Sequence, residues 1–148
     1  MCGTCFFIGH RDSPYALQKK LDEVVKEASR EYGITRFVVG CRGNFDRWAL
    51  SSIMKVKKKA PNIEVFILLA YHPADHVPTY PNGVDGGYYP KGLEYVPKKF
   101  AILKANQIMV QECDLLIAYA QYPGNARNLV QYAMNRGVRV RNLAEDTE

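Results

Sequence analysis

"CFFIGHRDSP", residues 5–14, carries the reading of the fold: an apolar strand runs into Gly-His-Arg and then into a helix start. Cys5 to Ile8 are four consecutive apolar residues, a run that suits a strand covered on both faces. Asp12-Ser13-Pro14 offers a capping residue followed by proline, which predicts a helix from about residue 15.

Working outward, the same alternation repeats along the chain. Short β-rich runs stand at 5–9, 36–40, 64–70, 114–120 and 138–143. Stretches with helical spacing lie at 15–32, 44–59, 98–112 and 126–136, with Gly33 and Gly137 closing the first and last. The first helix places Leu17, Leu21, Val24, Val25, Ala28 and Tyr32 on one face, and Trp48 falls on the core face of the second. Strand–helix alternation implies parallel pairing with helical crossovers. The expected fold is α/β, a Rossmann-like three-layer α/β/α sandwich with a mostly parallel five-stranded sheet, in one domain over residues 1–148. Residues 71–97, rich in proline, glycine and tyrosine, show no period and read as a long lid-like loop.

Composition narrows the class. With 47% hydrophobic and 24% charged residues, the chain has the balance of a folded globular protein rather than a disordered one. Its apolar runs are too short for a secretory leader or a membrane span, so the expected location is the cytoplasm and no membrane partner is expected. A net charge of +5 and a pI near 9.0 favour an anionic partner. The densest basic run, Lys55, Lys57, Lys58 and Lys59, falls at a helix end, where cations suit the dipole and face solvent. Cys2, Cys5, Cys41 and Cys113 lack a second CxxC and read as free thiols. His72 and His76 have helical metal-pair spacing, but Pro73 and Pro78 argue against a helix there, so no metal is expected.

In an open parallel sheet, ligands bind beyond the carboxyl ends of the strands, where the strand order reverses. Four segments should converge there. Gly9, His10 and Arg11 follow the first strand and stand where a helix starts, bringing cationic side chains to exposed N–H groups. Gly40, Arg42 and Gly43 form a turn that admits close backbone approach to a phosphate or sugar. Asn44 could cap the second helix, and Asp46 serves either the helix dipole or a ribose hydroxyl. The fourth loop, "QYPGNARNLVQYA" at 121–133, offers Gly124, Asn125 and Asn128, with Arg127 as a phosphate clamp. From the tyrosine-rich segment, Tyr88 or Tyr89 could stack on a base and Glu94 supply a carboxylate; the same tyrosines equally suit a dimer surface.

The stretches "FFIGHRDSP", "GCRGNFDRWAL", "YYPKGLEYVPKKFAILKANQIMVQECDLLIAY" and "PGNARNLVQYAMNRG" together resemble the SLOG (Smf/DprA–LOG) superfamily, most closely its small YpsA-like bacterial proteins. The resemblance spans almost the whole chain and implies a Rossmann-like fold, nucleotide ligands and homo-oligomers. LOG enzymes carry PGGxGTxxE. Here Pro123 and Gly124 match, Asn125 and Arg127 replace glycines, Asn128 replaces threonine, and Gln131 stands where the motif has glutamate. An amide cannot act as a general base, so LOG-type hydrolysis would need another acid, Asp46 or Glu94 being the catalytic candidates. The leading expectation is a nucleotide-binding protein that senses or sequesters a phosphate-containing ligand, without a cofactor. The alternative is an N-glycoside or phosphoribosyl hydrolase acting on nucleoside monophosphates. A DNA-associated module ranks third, because no basic stripe interleaves with aromatics.

Overall fold

The computed structural model describes residues 3–75 and 77–145, which leaves Cys2 and His76 outside the described residues. Six strands form one parallel sheet: β1 (Gly3–Gly9), β2 (Ile34–Val39), β3 (Glu64–Leu68), β4 (Gly86–Tyr88), β5 (Leu115–Tyr119) and β6 (Arg139–Asn142). Their spatial order is β4-β3-β2-β1-β5-β6, so the direction of winding reverses between β1 and β5. The helices are α1 (Leu17–Glu31), α2 (Asn44–Lys59), α3 (Ala101–Glu112) and α4 (Asn125–Asn135). None of the described helices is long and apolar enough to cross a membrane.

The apolar run of β1 splits by strand parity into two cores. Cys5 and Phe7 pack with Leu21 and Val25 of α1 and with Phe45 and Ile53 of α2. Phe6 and Ile8 face the other way, against Met109 of α3 and Leu129 of α4. A strand buried on both faces needs an unbroken apolar run, which is why the alternation of a half-exposed strand is absent here. The α/β/α layering expected from the sequence is therefore the architecture observed.

The sheet has six strands rather than five. The added strand, β4, lies within the 71–97 segment and is only three residues long, Gly-Gly-Tyr, too short for any period to register in the sequence. Asp85 leads it in. The Asp85 carboxylate accepts from Val65 N at 2.8 Å and pairs with Lys57 at 2.9 Å, which hold it below the ordinary carboxylate range despite opposing desolvation. At the strand's end the Tyr88 hydroxyl donates to Glu112 at 2.6 Å, tying the sheet edge to α3.

Two helix starts differ from the sequence reading, and the first matters for the site. Ser13 does not cap α1. Its hydroxyl and its N–H both turn back to the His10 carbonyl, at 2.6 and 3.2 Å, and α1 begins only at Leu17 with no side-chain cap. At α3 a 3-10 turn, Lys98–Phe100, precedes the helix. Trp48 is half-buried rather than fully enclosed: it packs against the first core, while its indole N–H donates to the Ser13 carbonyl at 3.1 Å. Cys5 and Cys113 are buried free thiols, both raised by burial, and Cys41 is exposed.

Candidate functional site

Gly9 of β1 lies opposite Tyr119 of β5, so the loops following these strands leave the sheet side by side at the reversal point. Between them opens a crevice of about 600 Å3. Gly9, His10, Arg11, Gly40, Arg42, Gly43, Asp46, Gly124 and Asn125, all named from the sequence, line it. Asn44 sits one step aside, in a neighbouring groove that Gly40, Arg42 and Gly43 share. Tyr89 is half-buried against His72, with ring centroids 5.2 Å apart, and Glu94 is exposed on a 3-10 turn; neither lines the crevice. Arg127 and Asn128 lie exposed on α4, outside the crevice lining, as does Gln131, whose amide donates to Asn135 at 3.0 Å.

Close backbone contact builds the site. A Cβ at Gly9 would overlap the Phe45 ring, with Phe45 Cβ itself only 2.7 Å away, so β1 meets α2 through a bare backbone. A Cβ at Gly43 would stand 2.7 Å from Arg11 Cα, and Asn44 N donates to the Arg11 carbonyl at 2.9 Å. The first two loops are thus locked together, with Arg11 and Arg42 on adjoining backbone. Gly124 has φ +151°, which L side chains rarely adopt, although nothing lies within 4 Å of an added Cβ.

The same two glycines, Gly43 and Gly124, are the residues from which α2 and α4 start, and neither helix has a side-chain cap. Helix starts leave N–H groups without intrahelical partners and carry the positive end of the helix dipole; in α2 the first of them, Asn44 N, is taken by the Arg11 carbonyl. The sequence placed the anion-facing helix start after Arg11. The Ser13 turn moves α1 away from it, and α2 and α4 supply helix starts at the crevice instead.

His10 is 8% exposed. Its Nε2 accepts from the N–H of Gln121 at 2.8 Å and of Tyr122 at 3.4 Å, which requires that nitrogen to be unprotonated. Burial lowers its pKa from the ordinary histidine value, against the opposing pull of Asp12. The ring stacks on Tyr122 at 3.7 Å, and the Tyr122 hydroxyl donates to Asp12 at 2.5 Å. His10 therefore binds the β5–α4 loop to the β1 loop as a neutral acceptor.

Asp46 performs a similar task on the second loop. Its Oδ2 accepts from Arg42 N at 3.1 Å. Burial pushes the carboxyl above its ordinary value, against the opposing pull of the Arg42 and Gly40 backbone and the Arg42 guanidinium. Among the lining residues without a role in the sequence reading are Tyr122, and Ile102 and Asn106 of α3. Tyr122 had a usable signal, an aromatic directly before Pro123-Gly124 in a loop already placed at the crevice. Ile102 and Asn106 had none, because their approach depends on how α3 packs.

The crevice offers two cations, two helix starts without side-chain caps, the carboxyl groups of Asp12 and Asp46, and an aromatic ring at its edge. Chemically, this arrangement can hold a phosphate and orient a planar group beside it. No family model matches the chain, and no curated protein sequence matches it.

Proposed function

We propose that the crevice binds a nucleotide or nucleotide-derived ligand by its phosphate, and that the protein senses or sequesters that ligand. One observation carries this reading. α2 and α4 both start at the crevice from uncapped glycines, with Arg11 and Arg42 on the same wall. Tyr122, 45% exposed and braced by His10 and Asp12, supplies a ring on which a base can stack. It takes the base-stacking part expected of Tyr88 or Tyr89.

A second reading, cleavage of an N-glycosidic bond in a nucleoside monophosphate, draws on Asp46. That carboxyl lines the crevice and is raised by burial, as befits a proton donor. Its hydrogen bonds to the second loop favour a structural task, and Glu94 stands outside the crevice. Binding without cleavage is the better supported of the two. The resemblance to the SLOG superfamily belongs to the same proposal.

The test is mass spectrometry of what the purified protein releases on denaturation. An intact phosphate-bearing nucleotide, retained by wild type and missing from Arg11→Ala/Arg42→Ala, is the expected result. Release of free base on incubation with nucleoside monophosphates would favour the hydrolase instead. A wild type that carries nothing, retains nothing after incubation with a nucleotide pool and releases no free base from nucleoside monophosphates would contradict both.

A further inference from the structure

A second groove, of about 630 Å3, runs between α1 and α2 and shares no lining residue with the crevice. Lys26 and Arg30 of α1 form one bank, and Lys55, Lys58 and Lys59 of α2 form the other. Asp22 is the single acid in the lining. Five cations against one acid leave the lining at +4, compared with +5 for the whole chain, so the chain's positive surplus is concentrated here.

The floor of the groove holds its banks in place. Ser52 donates to Asp22 at 2.6 Å, Gln18 donates to Ser52 at 2.8 Å, and Lys55 pairs with Asp22 at 2.9 Å. Although burial pushes the Asp22 carboxyl up, these bonds outweigh it and hold the group below the ordinary carboxylate value, as an anion. Asp22 is thereby taken up by Lys55 and the floor. Among the described residues, Lys26, Arg30, Lys58 and Lys59 have no acid within ion-pair distance.

Helix-dipole compensation does not absorb this charge. Each helix carboxyl end carries about −0.5 of a charge, so two ends offset roughly one of the four positive charges. Lys57, in the same basic run, shows the contrasting outcome: it pairs with Asp85 and donates to the Ile63 carbonyl, leaving 21% of its side chain exposed. The solvent-facing run expected from the sequence is split between a structural ion pair and an open cationic groove.

We propose that this groove binds a linear polyphosphate chain. Cations on both banks suit a narrow, densely charged polymer lying between the helices. Single-stranded nucleic acid sites pair a basic groove with aromatic platforms for the bases, and none of the ten lining residues is aromatic. An acidic peptide would bring large anchoring side chains that need pockets, whereas the apolar lining here is Val56 and Ala60. A phosphate polymer without bases makes neither demand.

The experiment titrates wild type with inorganic polyphosphate of defined chain length by calorimetry. It is repeated for Lys58→Gln/Lys59→Gln, for Arg30→Gln and for the crevice variant Arg11→Ala/Arg42→Ala. These are exposed surface positions, so melting temperatures should stay close to wild type and exclude misfolding as the cause. The expected result is salt-sensitive binding, weakened on the order of tenfold in the double lysine variant and unchanged in the crevice variant. Absence of binding, equal affinity in the lysine variant, or loss in the crevice variant alone would overturn the proposal. So would equal competition by oligothymidylate or polyglutamate of matched charge.

Discussion

Gly9→Ala should destabilise the protein by about 3 kcal/mol, at the upper end for overpacking a close-packed interior. The added methyl falls on the ring of Phe45, which is buried at the core-facing start of α2. Neither neighbour can give way easily. Gly9 is held by the register of β1 against β5, and Phe45 is enclosed by the first core. In a chain of 148 residues this corresponds to a melting temperature lower by roughly 6–12 °C. Two companions make the cause legible. Phe45→Leu in the Gly9→Ala background should recover part of the loss, giving favourable coupling between two positions that are each damaging alone. Gly124→Ala, where only the backbone angle resists, should cost about 1 kcal/mol. A Gly9→Ala variant as stable as wild type in urea would refute the contact between β1 and α2 on which the crevice wall depends.

His10→Ala should have the next largest effect, about 2 kcal/mol from two unpaired backbone N–H groups and a lost ring stack. His10→Gln, which retains an acceptor, should recover part of it. The pH dependence has a defined sign. The folded-state pKa of His10 lies below its unfolded value, so the unfolded chain binds the proton more readily. The contribution of His10 is therefore complete above the ordinary value of 6.5 and is lost as pH falls from there through the lowered folded pKa. Asp46 acts in the opposite sense. Its raised pKa contributes stability below the ordinary carboxylate value of 3.8 that is lost as pH rises through the folded pKa. The informative quantity is accordingly the difference between wild type and His10→Gln, followed by chemical denaturation from pH 7.5 to pH 5. That difference should shrink on acidification. A constant difference would show that His10 does not hold the β5–α4 loop as a neutral acceptor.

The layering was legible because it is written in local pattern. Cys5–Ile8 as an unbroken apolar run, and Leu17, Leu21, Val24, Val25 and Ala28 at helical spacing, suffice to place a doubly covered sheet. β4 was not legible, because three residues carry no period and its pairing depends on Asp85, whose contacts to Val65 and Lys57 lie 20 and 28 positions away in the chain. The crevice was legible as a location, since strand ends in a parallel sheet converge whatever their side chains. The inward or outward facing of individual groups was less so. Arg127 and Asn128 read as phosphate contacts from their place in the fourth loop, yet the packing of Ala126, Leu129 and Val130 into the second core turns them toward solvent. Ser13 read as a helix cap, whereas its return to the His10 carbonyl depends on the turn that the loop adopts. The cationic groove lay beyond sequence reading altogether, because its two banks come from helices separated by β2.

The central claim is that the crevice holds a nucleotide through its phosphate. Thermal unfolding of ligand-stripped protein against nucleoside mono-, di- and triphosphates and cyclic nucleotides tests it most directly. A ligand at about a hundred times its Kd adds about 2.7 kcal/mol, a shift of roughly 5–10 °C for a chain of this size. The account predicts such a shift for at least one nucleotide, with the shift lost in Arg11→Ala/Arg42→Ala. No shift with any nucleotide, or a shift that persists undiminished in that double variant, would contradict it.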